Sequence, residues 1–141
     1  MKIALCHSFH SMDLVEKVIE IKDRLTKMGH IVFTTPYLEI SAVELQKLIF
    51  DKDYLERTKP RLIKKHFDNI LKSDAILVIN LDKENVKNYI GGNTFAEIVF
   101  AFYKNKKLFF FNPIPEEIKI FNDELKAVKP IIINGNLNLI A

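Results

Sequence analysis

The sequence contains a single cysteine, Cys6, which excludes an internal disulfide framework. One cysteine cannot form a metal cluster alone, and no other grouping of metal ligands is visible in the sequence, so no metal is expected. The formal net charge is only +3, and the basic residues are interspersed with acids. This distribution leaves no patch for nucleic acid or for a membrane surface, and neither is an expected partner.

Long hydrophobic runs are also missing. The apolar stretch that follows Met1 and Lys2 is too short for a signal peptide or a membrane span. There is no internal repeat and no low-complexity segment. Because the 141 residues are 48% hydrophobic and 28% charged, we expect one globular, cytoplasmic domain over residues 1–141.

The sequence does contain an alternation of short apolar runs and amphipathic segments. Ser11 and Gly29 have the residue types that cap the two ends of a helix. Further helices are predicted at 41–50, at 53–72 with Pro60 as a kink or a break, at 94–103 and at 116–128. Buried strands are predicted at 2–6, 31–35, 75–81, 107–111 and 130–133. This order predicts an α/β three-layer sandwich with a doubly wound parallel sheet of about five strands, flavodoxin-like or Rossmann-like.

The predicted sheet locates a binding site before any motif is considered. Ligands of open parallel sheets bind beyond the carboxyl ends of the strands. Asp74 precedes its strand and lies at the opposite end, so we expect a structural role for it. The polar residues expected at the binding edge are His7, Ser8, Thr35, Tyr37, Asn80, Asp82, Asn112 and Asn134.

Residues 89–103 combine a glycine-bearing loop with a helix that is apolar on almost every side. Glu97 is the only charged residue of this helix, and an unpaired buried charge is costly. Two interpretations are open. Thr94 and Glu97 have the spacing of a capping box, in which the carboxylate bonds the backbone at the helix start. Alternatively, the carboxylate faces a ligand behind Gly91 and Gly92, which let the backbone approach closely.

Three runs resemble the nucleoside 2-deoxyribosyltransferase-like superfamily, which includes the 2′-deoxynucleoside 5′-monophosphate N-glycosidases. They are SDAILV at 73–78, NYIGGNTFAE at 88–97 and KKLFFFNP at 106–113. The resemblance implies transfer or hydrolysis at an N-glycosidic bond of a nucleoside or nucleotide. It makes Glu97 the nucleophile of a covalent glycosyl-enzyme. It also implies a homodimer or higher homo-oligomer, with residues 37–72 and the apolar tail 137–140 as candidate interfaces.

The chain departs from this family at the proton-handling position. The family typically has an aspartate a few residues before the glutamate, whereas the loop here has no acid. Asp82 is the nearest candidate for that role, although an ordinary loop acid is the favoured interpretation. In the loop after the first strand, His7 and His10 are candidates to assist anion binding. The residues expected to bind the substrate are His7, Ser8, Tyr89, Gly91, Gly92, Asn93 and Asn112.

Two other functions are compatible with this fold. The missing loop acid motivates a catalytically inactive nucleotide-binding or sensing module. A flavodoxin-like flavin protein is disfavoured, because no Ser/Thr-rich phosphate-binding loop follows the first strand. The glycine loop is also not the Rossmann dinucleotide fingerprint, because no G-x-G-x-x-G is present. The glycosidic chemistry requires no cofactor, and none is expected.

Overall fold

A five-stranded parallel sheet forms the centre of the protein in a computed structural model that describes residues 1–8 and 11–140. The strands pair in the order β2-β1-β3-β4-β5, which confirms the predicted flavodoxin-like sheet. They are β1 (Lys2–Cys6), β2 (Ile31–Phe33), β3 (Ala75–Val78), β4 (Lys107–Phe110) and β5 (Ile131–Ile132). The helices are α1 (Met12–Lys27), α2 (Ala42–Phe50), α3 (Lys52–Lys72), α4 (Gly92–Tyr103) and α5 (Asn122–Ala127).

Helices cover both faces of the sheet, as a doubly wound fold requires. On one face, the buried stripe of α1 packs with the 3₁₀ turn Leu137–Leu139. On the other face, α3, α4 and α5 contribute Ile70, Ile98 and Leu125 to a second core cluster. The predicted three-layer sandwich is therefore confirmed.

The ends of α1 match their predicted caps. The Ser11 hydroxyl accepts a hydrogen bond from the Leu14 N–H at 3.2 Å. Gly29 follows the helix with a φ of +95°, a left-handed conformation that favours glycine. Between the caps, Leu14, Val18, Ile21 and Leu25 are buried, and their spacing of four and three residues is that of one helix face.

The segment between β2 and β3 forms a helical hairpin of α2 and α3. Ser41 and Asp51 cap the two helices by accepting from the N–H groups of Glu44 and Tyr54. Pro60 lies inside the continuous helix α3, so of the two predicted alternatives the break is excluded. Helix α3 packs against α4, β1 and the 3₁₀ turn Pro36–Leu38, which holds the hairpin beside the carboxyl ends of the strands.

One prediction about the last third of the chain is corrected. Helix α5 is shorter than predicted and begins only after Phe121, whose ring stacks on Phe95 with 4.3 Å between centroids. In the C-terminal tail, Leu137 and Ile140 are buried in the core of this chain, whereas Leu139 is exposed. An interface at this tail therefore stays a prediction.

The amino ends of the strands show the predicted role of Asp74. Its carboxylate accepts from the Lys2 N–H at 2.8 Å and so ties the start of β1 to the residue before β3. Across residues 1–8 and 11–140, no helix has the length and apolar character needed to cross a membrane.

Candidate active site

A cleft of about 400 Å³ lies beyond the carboxyl ends of β1, β2 and β3. In the observed strand order, β1 and β3 form the switch point at which open α/β sheets bind ligands. His7 and Ser8 reach the cleft from the end of β1, and Thr35 reaches it from the residues after β2. Leu48 of α2 and Leu62 of α3 also line the cleft. The cleft thus has both polar and aliphatic lining residues.

Glu97 lines this cleft from the second turn of α4. The helix begins at Gly92 with Gly91 as its cap, and no side chain bonds the cap. The capping-box interpretation of Thr94 and Glu97 is therefore wrong. The helix dipole also contributes little to the ionisation of Glu97, because the dipole acts mainly in the first turn.

The Glu97 carboxyl is buried, with 7% of the residue exposed. Burial raises the pKa of Glu97 to about 8, and a hydrogen bond with Cys6 opposes that rise. Glu97 is therefore protonated in most molecules at neutral pH. Glu97 Oε2 lies 3.2 Å from His66 Nε2, so one partner of this acid comes from α3.

His66 is buried on α3 and holds a definite tautomer. Its Nε2 lies 2.9 Å from the Leu5 carbonyl oxygen, which only accepts, so Nε2 carries a proton. Its Nδ1 lies 3.4 Å from Asn69 Nδ2, a donor. Burial lowers the pKa of His66 to about 4, against the effect of the bond to Leu5. The ring is therefore a neutral imidazole at pH 7.

Cys6, His66 and Glu97 place three possible metal donors within 4.8 Å of one another. The set of thiol, imidazole and carboxylate is one that zinc accepts. However, the His66 nitrogen that faces the other two donors directs its proton at the Leu5 oxygen. Burial, followed by Glu97, raises the pKa of the Cys6 thiol, so the thiol is protonated in the absence of a metal. The geometry favours a hydrogen-bonded cluster over a bound ion.

Three buried hydroxyl groups in the cleft lack a hydrogen-bond partner among residues 1–8 and 11–140. They belong to Ser8, Thr35 and Thr94, and all three residues line the cleft. Buried hydroxyls are nearly always bonded in folded proteins, so these groups are suited to meet the oxygens of a bound ligand. Tyr37 and Asn93 also line the cleft and share a side-chain hydrogen bond.

The structure gathers most, but not all, of the predicted site residues. Asp82 is exposed and accepts from the Asn88 N–H at 2.9 Å. The Asn112 amide donates to the Asn80 carbonyl oxygen at 3.0 Å and so joins the ends of β3 and β4. Neither residue lines the cleft, and their functional assignments stay predictions, while His10 lies outside the described residues. The predicted residues that do line the cleft are His7, Ser8, Gly91, Gly92, Asn93 and Glu97.

Gly91 and Gly92 differ in the space around them. A Cβ atom at Gly91 would lie 3.2 Å from Ser8 Oγ and 3.4 Å from Tyr89 Cε1. At Gly92 the same atom would meet nothing within 4 Å. Tyr89 is therefore placed behind the glycine loop and outside the cleft lining, and its assignment to the substrate also stays a prediction.

Gly91→Ala is expected to destabilise the protein more than Gly92→Ala does. The added methyl group at Gly91 must displace Ser8 or Tyr89, and mild overpacking of this kind costs about 1 kcal/mol. Urea denaturation of both variants measures the difference, with Gly92→Ala as the matched control. Equal free energies of unfolding in the two variants would contradict the close packing at Gly91.

The sequence did not point to His66 as a site residue. Its one signal is the spacing of Leu62, His66 and Ile70 on the buried face of α3, where a titratable side chain is exceptional. Cys6 is buried at the end of β1, and its thiol lies 3.7 Å from His66 Nε2. This contact does not follow from spacing along the chain, because the two residues are sixty positions apart.

The raised pKa of Glu97 predicts a pH-dependent gain in stability from Glu97→Gln. A carboxyl with a folded pKa of about 8 against 4.5 in the unfolded chain makes folding less favourable as pH rises from 4.5 to 8. His66, with a folded pKa of about 4 against 6.5, contributes the opposite slope below pH 6.5 in both proteins. Thermal melts from pH 5 to 8 should therefore show the variant gaining on wild type by up to about 1.4 kcal/mol per pH unit. A difference that is constant with pH would show that the carboxyl is not buried as described.

No protein-family model matches the sequence, and no curated protein matches it. The structure is similar to a 2-deoxyribosyltransferase from the psychrotolerant bacterium Bacillus psychrosaccharolyticus. That comparison has a TM-score of 0.56 and 19% sequence identity, and it covers 78% of this chain and 71% of the other. The family resemblance predicted from residues 73–113 is thus confirmed at the level of the fold.

A second similar structure is FerB, a flavoenzyme NAD(P)H:(acceptor) oxidoreductase from Paracoccus denitrificans. It has a TM-score of 0.50 and 17% identity, over 93% of this chain and 74% of the other. The shared feature is again the fold. In the loop after β1, the Ser11 hydroxyl is already bonded to the Leu14 N–H, and no other described hydroxyl there joins Ser8. These residues do not fit the phosphate site of a flavin.

Proposed function

We propose that the protein cleaves or transfers the N-glycosidic bond of a nucleoside or nucleotide, with Glu97 as nucleophile. The main support is the position of this buried carboxyl in a cleft at the switch point of the sheet. The fold is one that a 2-deoxyribosyltransferase also adopts. A cleft of about 400 Å³ has room for a nucleoside.

In the proposed reaction, an ionised Glu97 oxygen attacks C1′ of the sugar. The bond from C1′ to the base nitrogen breaks, and the electron pair leaves with the base, which takes up a proton. Water or a second base then attacks C1′ and releases the carboxylate. The oxocarbenium-like transition state is positively charged, so it stabilises the ionised form of Glu97 that burial disfavours in the free protein. Asp82 stays the predicted proton source, although its carboxylate is exposed.

The polar and apolar lining residues of the cleft suit the two parts of such a substrate. The hydroxyls of Ser8, Thr35 and Thr94 line the same cleft as Glu97 and match the oxygen-rich sugar. The aliphatic side chains of α2 and α3 match the flat faces of a base. Lys59 also lines the cleft and supplies the positive charge that a 5′-phosphate would meet.

A panel of nucleosides and 5′-monophosphates tests this proposal. Each compound is incubated with the protein, with and without an acceptor base, and the products are separated by chromatography. Release of free base without an acceptor identifies hydrolysis, and exchange that requires the acceptor identifies transfer. If no compound in the panel releases its base, the enzymatic proposal is refuted.

A nucleotide-binding or sensing module is the second candidate. The raised pKa of Glu97 favours it, because the acid is mostly neutral at pH 7. Among residues 1–8 and 11–140, the cleft lining also contains no second acid beside Glu97. Calorimetric binding of a nucleotide together with no base release would support this candidate over catalysis.

We also propose that the protein is a cytoplasmic homodimer or larger homo-oligomer that uses residues 37–72. Helix α2 exposes Val43, Ile49 and Phe50, which supports an interface at the helical hairpin. Light scattering at micromolar concentration tests the assembly, and a monodisperse monomer would contradict it.

A further inference from the structure

The imidazole of His66 is fixed from both of its nitrogens. On one side, Nε2 lies 2.9 Å from the carbonyl oxygen of Leu5, which belongs to the rigid strand β1. On the other side, the Asn69 amide approaches Nδ1 at 3.4 Å, and the same amide nitrogen lies 3.4 Å from the Thr34 carbonyl oxygen. Two carbonyl acceptors thus determine which nitrogen of the ring carries its proton.

This tautomer brings an N–H group that already bonds the Leu5 oxygen close to the carboxyl that the proposed reaction uses. The protonated Nε2 is 3.2 Å from Glu97 Oε2, and both side chains are buried. We propose that His66 is a positioning residue that stabilises ionised Glu97 by sharing its Nε2–H between the Leu5 oxygen and the carboxylate, and that Asn69 maintains the required tautomer. This inference rests on the proposed function and adds to it a specific device for holding the nucleophile.

A neutral donor suits this position better than a cation. A hydrogen bond from a neutral imidazole stabilises the carboxylate without forming a salt bridge, so the carboxylate keeps its nucleophilic oxygens. A buried ion pair would instead hold the carboxylate in a strong, permanent contact. The other titratable groups around the pair are Cys6 and His7 at the end of β1, and Tyr37 and Glu39 in and after the 3₁₀ turn.

His66→Leu removes the donor, and His66→Gln keeps an amide donor near the position of Nε2. A hydrogen bond to a charged group is worth a factor of about 10 to 100 in an equilibrium between the ionised and neutral forms. We expect His66→Leu to lower kcat/KM at neutral pH by about that factor. The loss should shrink at high pH, where Glu97 ionises without help, and His66→Gln should recover most of the activity. His30→Gln, at the opposite end of the sheet, is the matched control.

Two NMR measurements test the pair without relying on activity. The carboxyl carbon of Glu97 should titrate at higher pH in His66→Leu than in wild type, and at nearly the wild-type pH in His66→Gln. The ¹⁵N signals of His66 should show a protonated Nε2 and an unprotonated Nδ1, and Asn69→Leu should mix the two tautomers. The wild-type and Asn69→Leu spectra decide the tautomer even if His66→Leu fails to fold.

The outcomes separate this inference from the proposed function. An unchanged Glu97 titration in His66→Leu, or a wild-type proton on Nδ1, would overturn the role of His66 even in an active enzyme. Absence of base release by wild type would instead refute the proposed function and with it the catalytic purpose of the pair. In that case the NMR titrations would still establish whether His66 stabilises ionised Glu97.

Discussion

Glu97→Gln is expected to abolish base release, with kcat/KM falling by about 10⁴- to 10⁶-fold, as for loss of a covalent nucleophile. Glutamine has nearly the same volume and keeps one oxygen, but its amide cannot form the glycosyl ester. The variant should still fold, because it replaces a mostly neutral acid with another neutral group at a buried position. Chromatography of the substrate that wild type cleaves fastest measures the loss.

Glu20→Gln is the matched control for this experiment. Glu20 lies on the exposed side of α1, where it pairs with Lys17 at the surface. The same chemical change there should leave kcat/KM within about twofold of wild type, since surface substitutions have small effects. If Glu97→Gln also cleaved substrate at the wild-type rate, Glu97 would not be the nucleophile.

The second large effect is expected in the pH dependence of wild-type catalysis. Only the ionised form of Glu97 attacks, and burial raises the pKa of this carboxyl to about 8 in the free protein. Because kcat/KM reports groups of the free enzyme, it should rise about tenfold per pH unit below 8 and level off above. Between pH 6 and 8 the expected increase is therefore about fiftyfold, because half of the carboxyl groups are ionised at pH 8.

The rates are compared at pH values where circular dichroism shows the protein to be folded. The profile for kcat should level off at lower pH than the profile for kcat/KM, since a bound, positively polarised sugar favours the carboxylate. A kcat/KM profile that is already flat above pH 5 would mean that Glu97 ionises normally. The described burial of the acid would then be incompatible with the active protein.

The fold follows from local patterns that the sequence displays directly. The run at residues 2–6 and the stripe from Leu14 to Leu25 match β1 and the buried face of α1. These predictions succeed because hydrophobic period and cap chemistry act over a few neighbouring residues. The alternation of strands and helices then leaves few possible orders for a parallel sheet.

The site was predictable only in part, for a physical reason that its residues illustrate. Glu97 is detectable because one acid in an apolar helix is locally exceptional. The start of α4 at Gly92 could not be predicted, because Thr94 is by its residue type an equally good cap. The contact between His66 and Glu97 depends on how α3 packs against α4, and such long-range packing leaves no regular spacing in one sequence.

The helical hairpin of α2 and α3 shows the same limit. Residues 37–72 were predicted as a candidate interface with a neighbouring subunit. The structure shows that Leu48 and Phe67 of this segment line the cleft, so the hairpin shapes the binding site within one chain. Its helices are evident from sequence periodicity, but the side of the sheet that they cover is set by tertiary packing.

The most direct test of Glu97 as a nucleophile is the mass of the protein during turnover. Wild type is mixed with its best substrate, quenched in acid and digested, and the peptides are examined by mass spectrometry. A covalent mechanism predicts that the mass of one glycosyl group is added to the peptide that contains Glu97, and that Glu97→Gln shows no such adduct. Rapid base release by wild type with the sugar attached to another residue would contradict the central claim.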